Sequence, residues 1–131
     1  MSKLETPMII RYWENNRGTL IEEFQLVARD GDTARRRADA IIIKNEEHKQ
    51  IPKGQRNISL EGKDIIVVQA KARRLGMNVM GQAVFSRELL LKFHKPKSVT
   101  SVILCREKDP TLEAIILNYP GIKVITTSEN K

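Results

Sequence analysis

The sequence predicts an α/β fold in the order α-β-β-β-α-β-α-β, a mixed central sheet flanked by helices, and three observations carry that reading. Residues 64–72 form an apolar block, with Ile65, Ile66, Val67 and Val68 apolar on both faces as a mid-sheet strand requires. A helix-periodic stretch, residues 78–93, lies between that block and a further strand at residues 98–105. Turn residues Arg29-Asp30-Gly31-Asp32 separate two apolar segments ahead of it, the natural reading of an antiparallel hairpin.

Taken in order, Thr6-Pro7 supplies an N-cap and a first-turn proline, and Met8, Ile9, Tyr12 and Trp13 are spaced for a short helix to about Asn16. Gly18 ends it. Residues 19–28 contain Phe24 and Leu26, two apart, so at least their second half reads as a strand, which returns through residues 37–43. Residues 45–63 are a polar connection longer than most loops, with residues 57–60 a candidate strand extension. In the helix at 78–93, Met80, Ala83, Val84, Arg87, Leu90 and Leu91 mark the apolar stripe, and Pro96 stops it. Asp109-Pro110 opens a last helix bearing Leu112, Ile115, Ile116 and Tyr119, and residues 122–126 form a final strand.

At 131 residues the chain is read as one domain, residues 1–131, able to bury a core without disulfide or metal. The single cysteine, Cys105, lies in an apolar run and reads as a core thiol. No stretch approaches the roughly 20 apolar residues that span a bilayer, and the start lacks a secretory apolar block, so a cytoplasmic location is expected. The 23 Lys and Arg against 16 Asp and Glu give a formal charge of +7, which favours polyanionic partners through counterion release.

The chemistry concentrates at two strands. Asp39 precedes Ala-Ile-Ile-Ile, and Gln69 and Lys71 lie two residues apart on one face of the strand at 64–72. An acid at one strand end, with a ligating group and a lysine two apart on the next, resembles the PD-(D/E)XK nucleases of the restriction-endonuclease-like superfamily, with Gln69 where that pattern has Asp or Glu. The element order is also similar to the superfamily core: a helix, a three-strand meander, a crossover helix and a strand added parallel.

That resemblance implies a metal-dependent nuclease that hydrolyses DNA with Mg²⁺ or Mn²⁺. Asp39, the side-chain oxygen of Gln69 and the backbone carbonyl of Ala70 would hold the hard cation, and Lys71 would orient or activate the water. Glu22 or Glu23 would restore the charge missing at Gln69, and strand alternation lets only one of them face inward. Gln82, which shares a helix face with Ser86, would orient a phosphate. Arg35, Arg36, Arg37, Arg73 and Arg74 flank the site as candidates for phosphate contact. A chain this short would need a homodimer to place two sites on a duplex. The alternative is a catalytically inactive module of the same fold that binds nucleic acid or a partner, and Gln69 is the feature that favours it.

Overall fold

The computed structural model describes residues 3–27, 36–52 and 58–127. The elements are α1 (Thr6–Asn16), β1 (Thr19–Glu22), β2 (Gln25–Val27), β3 (Arg36–Arg37), β4 (Ala40–Ile43), β5 (Lys49–Ile51), β6 (Asp64–Arg74), α2 (Met77–His94), β7 (Ser98–Glu107), α3 (Pro110–Ile116) and β8 (Ile122–Thr126). Six strands form one mixed sheet in the order β5-β1-β4-β6-β7-β8. β4 is antiparallel to both β1 and β6, whereas β7 adds parallel to β6 and β8 parallel to β7. The crossovers through α2 and α3 account for the parallel half, because a parallel pair cannot be joined by a tight turn.

The sheet is buried on both faces. Met8 and Ile9 of α1 pack on Leu20, Ile42, Ile66, Val68, Val102 and Leu104. On the opposite face Ile21, Ile41, Ile43, Ile65 and Val67 meet Leu90 of α2, and Val79 and Ala83 of α2 join Ile103, Cys105 and Ile116. Burial pushes the Cys105 thiol up, as expected of a core cysteine.

Four details differ from the sequence reading. The first hairpin is not two continuous strands. Each arm breaks, and β2 and β3 leave as a separate two-stranded ribbon. The break sits at Glu23, whose φ is 52°, a left-handed conformation that costs a non-glycine residue on the order of 1 kcal/mol. Hydrogen bonds from Glu23 N–H to Asp39 C=O at 2.7 Å and from Ala38 N–H to Phe24 C=O at 2.9 Å carry the pairing across the kink.

The polar connection holds an edge strand, β5, parallel to β1, which Lys49-Gln50-Ile51 does not announce by apolar alternation. Residues 58–60 are irregular rather than a strand extension, while residue 57 lies outside the described residues. Finally, α2 buries Val79 and Ser86 besides the predicted Ala83 and Leu90, with Met80 and Val84 packed against the same core, whereas Leu91 of the predicted stripe is exposed. Arg87 stays on the inner side by donating from Nε to Val99 C=O at 2.9 Å.

Gly18 fixes how α1 enters the sheet. Its φ is 102°, and a Cβ there would lie 2.6 Å from the carbonyl oxygen of Ile43. Both the conformation and the contact forbid a side chain. Gly18→Ala is therefore expected to cost more than about 2 kcal/mol, read as a lower urea midpoint at unchanged m-value.

Candidate active site at the fork of the sheet

The kink at Glu23 creates the site. β4 pairs with β6 from Ile43↔Ile65 to Ala40↔Val68, and beyond that point β6 runs on to Arg74 without β4 beside it. Backbone N–H groups left on that edge need acceptors. Two carboxylates supply them. Asp39 Oδ2 accepts from Ala70 N–H at 2.9 Å, and Glu5 Oε2 accepts from Ala72 N–H at 3.2 Å.

Glu5 occupies the N-cap position of α1, yet its side chain makes no cap bond and crosses to β6 instead. Thr6, read from sequence as the cap, is already inside the helix. On a strand a residue's N–H and C=O point to the same side, so the Ala70 carbonyl faces the edge that Asp39 occupies. An acid, a second acid and a backbone oxygen thus line one short edge, with Lys71 exposed between Ala70 and Ala72.

Burial raises the Asp39 carboxyl from its ordinary value, and the negative charges of Glu5 and Glu23 push the same way. The hydrogen bond from Ala70 N–H opposes both. A cation on this edge would relieve the repulsion that the three acids create.

Gln69 has a part that its motif position does not imply. It is 2 % exposed, and its Nε2 donates to Ser86 Oγ on α2 at 2.8 Å. Its Oε1 faces the Asp39 backbone N–H at 3.4 Å, so the amide braces the Asp39 turn against α2. Ser86, not Gln82, is the α2 residue that reaches it. Gln82 is exposed.

Of the two candidate acids after Leu20-Ile21, Glu22 is buried at 6 % exposure and Glu23 stands at the kink, 3.4 Å from Arg37. Glu22 Oε1 accepts from Gln50 Nε2 of β5 at 2.8 Å, whereas Glu22 Oε2 is buried with no hydrogen-bond partner among the described residues. A buried carboxylate oxygen without a donor calls for a cation or a water.

The arginines divide. Arg36, Arg37 and Arg73 are exposed near the fork, but Arg74 is turned away, donating to Lys108 C=O at 3.2 Å and lying 3.8 Å from Asp109. Arg35 lies outside the described residues. Among the described residues, no three Asp, Glu, His or Cys side chains group closely enough to hold a metal by themselves. Two carboxylates with a backbone oxygen and water still form a donor set that suits a hard cation, since magnesium binds through one or two carboxylates and keeps several waters.

Sequence reasoning named Asp39, Lys71 and the Glu22/Glu23 pair, but not Glu5, which the structure places on the same edge as Asp39, nor Gln50, which it bonds to Glu22. Glu5 immediately precedes a helix, where an acid has the ordinary role of facing the helix dipole. Gln50 belongs to the strand that alternation did not reveal. No helix among the described residues is long and apolar enough to cross a membrane. Comparison with protein-family models, with curated proteins and with solved structures finds no match to this chain.

Proposed function

We propose that this chain is a divalent-metal-dependent nuclease of the restriction-endonuclease-like type, hydrolysing DNA phosphodiester bonds. The observation that carries the reading is the pair of carboxylates, Asp39 and Glu5, bound to alternate N–H groups on the open edge of β6 on either side of Lys71. The order of the sheet adds to it, an antiparallel run β1-β4-β6 followed by parallel β7, because this is the arrangement that the motif resemblance implies.

A bound Mg²⁺ or Mn²⁺ would polarise the phosphoryl oxygens and supply a reactive water at neutral pH. Asp39, Glu5 and the Ala70 carbonyl are the groups to hold it. Lys71, exposed on the same strand, would orient the water and balance charge developing on the phosphate. Gln69 keeps the Asp39 turn in place through α2. Arg36, Arg37 and Arg73 give the salt-dependent, sequence-independent hold on a phosphate backbone.

The test incubates purified protein with supercoiled plasmid, single-stranded and branched DNA in Mg²⁺, Mn²⁺ or EDTA. Cutting is expected with metal and not in EDTA. Lys71→Ala should cut at least about 100-fold more slowly, with DNA affinity changed by less than about threefold. A Lys71→Ala protein that cuts as fast as the parent would reject the assignment.

One observation favours a second reading, a module of the same fold that binds nucleic acid or a partner without cutting: the buried Gln69 amide is committed to Ser86 and the Asp39 turn. Salt-sensitive binding with no cleavage in any metal would select it.

A further inference from the structure

β4 leads from the fork at Asp39 to a second polar site at its other end. There a cavity of about 180 Å³ opens on the α1 side of the sheet, floored by Ile66 and Val102, with Lys44 after β4 and Lys123 of β8 on its walls. The strand order β4-β6-β7-β8 sets the two lysines three strand spacings apart, about 14 Å between backbones, so they line the cavity from opposite sides. The Lys44 N–H donates to Asp64 C=O at 2.9 Å, and Lys123 is in register with Val102, which fixes both at the rim.

These lysines lack an acid. Arg37, Lys49, Lys63, Arg74 and Arg87 each form an ion pair with a carboxylate. Lys44 and Lys123 have no such pair among the described residues, and no acid among them lines the cavity. Asp64, at the start of the neighbouring strand, accepts from Ser98 Oγ at 2.6 Å and stands outside the wall. Two like charges on one concave surface raise the local potential and favour an anion between them.

The other polar groups of the wall also donate. Tyr12 and Thr100 bring hydroxyls and Asn45 an amide. Burial pushes the Tyr12 hydroxyl up, so it keeps its proton. Asn16 Nδ2 donates to Tyr12 C=O at 2.9 Å, which offsets the negative end of the α1 dipole on this side.

We propose that this cavity binds the phosphomonoester group of a sugar phosphate. Such a group carries close to two negative charges at neutral pH and three acceptor oxygens, which matches two lysines and a ring of donors. The cavity is smaller than the roughly 300 Å³ at which drug-sized ligand sites begin, so it admits the phosphate and the sugar beside it, with Ile66 and Val102 as the apolar floor under the sugar. The same chemistry comes from a free nucleotide or from the 5′ end of a nucleic-acid strand. Ile66 lies about 13 Å along β6 from Ala70, so the site is separate from the fork and the inference does not rest on the nuclease reading.

Isothermal titration calorimetry on the full chain in EDTA, where no cutting intervenes, tests it. A nucleoside 5′-monophosphate should bind with a dissociation constant below about 1 mM, and the nucleoside without phosphate at least about 10-fold more weakly. Lys44→Met and Lys123→Met keep the apolar stem of the side chain. Each should weaken the nucleotide by about 10-fold or more without lowering the melting temperature, because both lysines are exposed. Lys92→Met on α2 should leave the affinity unchanged. Two oligothymidylates that differ only in a 5′-phosphate separate the sources. A phosphate-dependent gain of about 10-fold or more, lost in Lys44→Met, assigns the site to a strand end, whereas nucleotide binding with no such gain assigns it to a free nucleotide. A parent that binds the nucleotide no more tightly than the nucleoside, with no gain from the 5′-phosphate, overturns the proposal. Equal weakening by Lys92→Met overturns it as well, because net charge and not this cavity would then hold the anion.

Discussion

Replacing Asp39 with asparagine is expected to abolish metal-dependent cleavage and, at neutral pH, to make the folded chain more stable. The cleavage loss should be at least about 100-fold, since the substitution removes the negative charge that holds a cation at the β6 edge. The stability gain follows from the direction of the Asp39 shift. Its carboxyl is raised by burial and by the charges of Glu5 and Glu23, so it ionises less readily in the folded chain than in the unfolded one. Such a group favours folding below its unfolded-chain value, and that contribution is lost as pH rises through the folded value. At neutral pH the ionised carboxylate therefore opposes folding.

Asparagine keeps an oxygen for the Ala70 N–H and removes the charge. Thermal unfolding without metal should show Asp39→Asn melting above the parent at pH 7, with the gap closing toward pH 3. Added Mg²⁺ should narrow the gap at pH 7 by stabilising the parent alone. A variant less stable than the parent at pH 7 would mean that the carboxylate is a structural acceptor and that its charge serves no site.

Much of this fold was legible because its strands and helices are separated by strong local signals. Asp109-Pro110 starts α3 where expected, with Asp109 Oδ1 accepting from Leu112 N–H at 3.2 Å, and the apolar block of β6 is the mid-sheet strand its composition requires. The fork was not legible. It depends on Glu23 adopting a positive φ, which no glycine or asparagine announces, and on tertiary pairing that holds the kink. The same limit applies to the site. Alternation places Gln69 and Lys71 on one face, but it does not say that Gln69 meets Ser86 before it meets the edge. Periodicity likewise identified α2 as a helix and placed Met80, Ala83, Val84, Arg87 and Leu90 on its inner side, but it did not show that Leu91 is exposed or that the polar Ser86 is buried there.

The Gln69→Glu substitution separates the two functional readings. It restores a carboxylate to the motif position at nearly constant shape, but in a place that is 2 % exposed and beside the Asp39 turn. Ser86 can rotate its hydroxyl to donate to the new carboxylate, so the hydrogen bond to α2 survives. The charge does not find a counterpart. A buried, partly compensated carboxylate next to another acid should lower stability at pH 7 by about 2–4 kcal/mol, and the loss should reverse as acidification protonates the group. Urea unfolding at pH 7 and pH 4.5 reads both effects.

Divalent cation then discriminates. If the fork is a metal site, Mg²⁺ compensates the added charge, so the midpoint of Gln69→Glu should rise with millimolar Mg²⁺ by more than that of the parent, and cleavage should increase at low metal concentration. If the fork only binds, nothing compensates the charge, and Gln69→Glu should stay destabilised and inactive at every metal concentration. The second outcome, together with a parent that cuts in no metal, would make Gln69 a replacement that the fold requires, because a neutral amide can bridge Ser86 and the Asp39 N–H without a buried charge, and the catalytic assignment of Asp39 and Lys71 would fall with it.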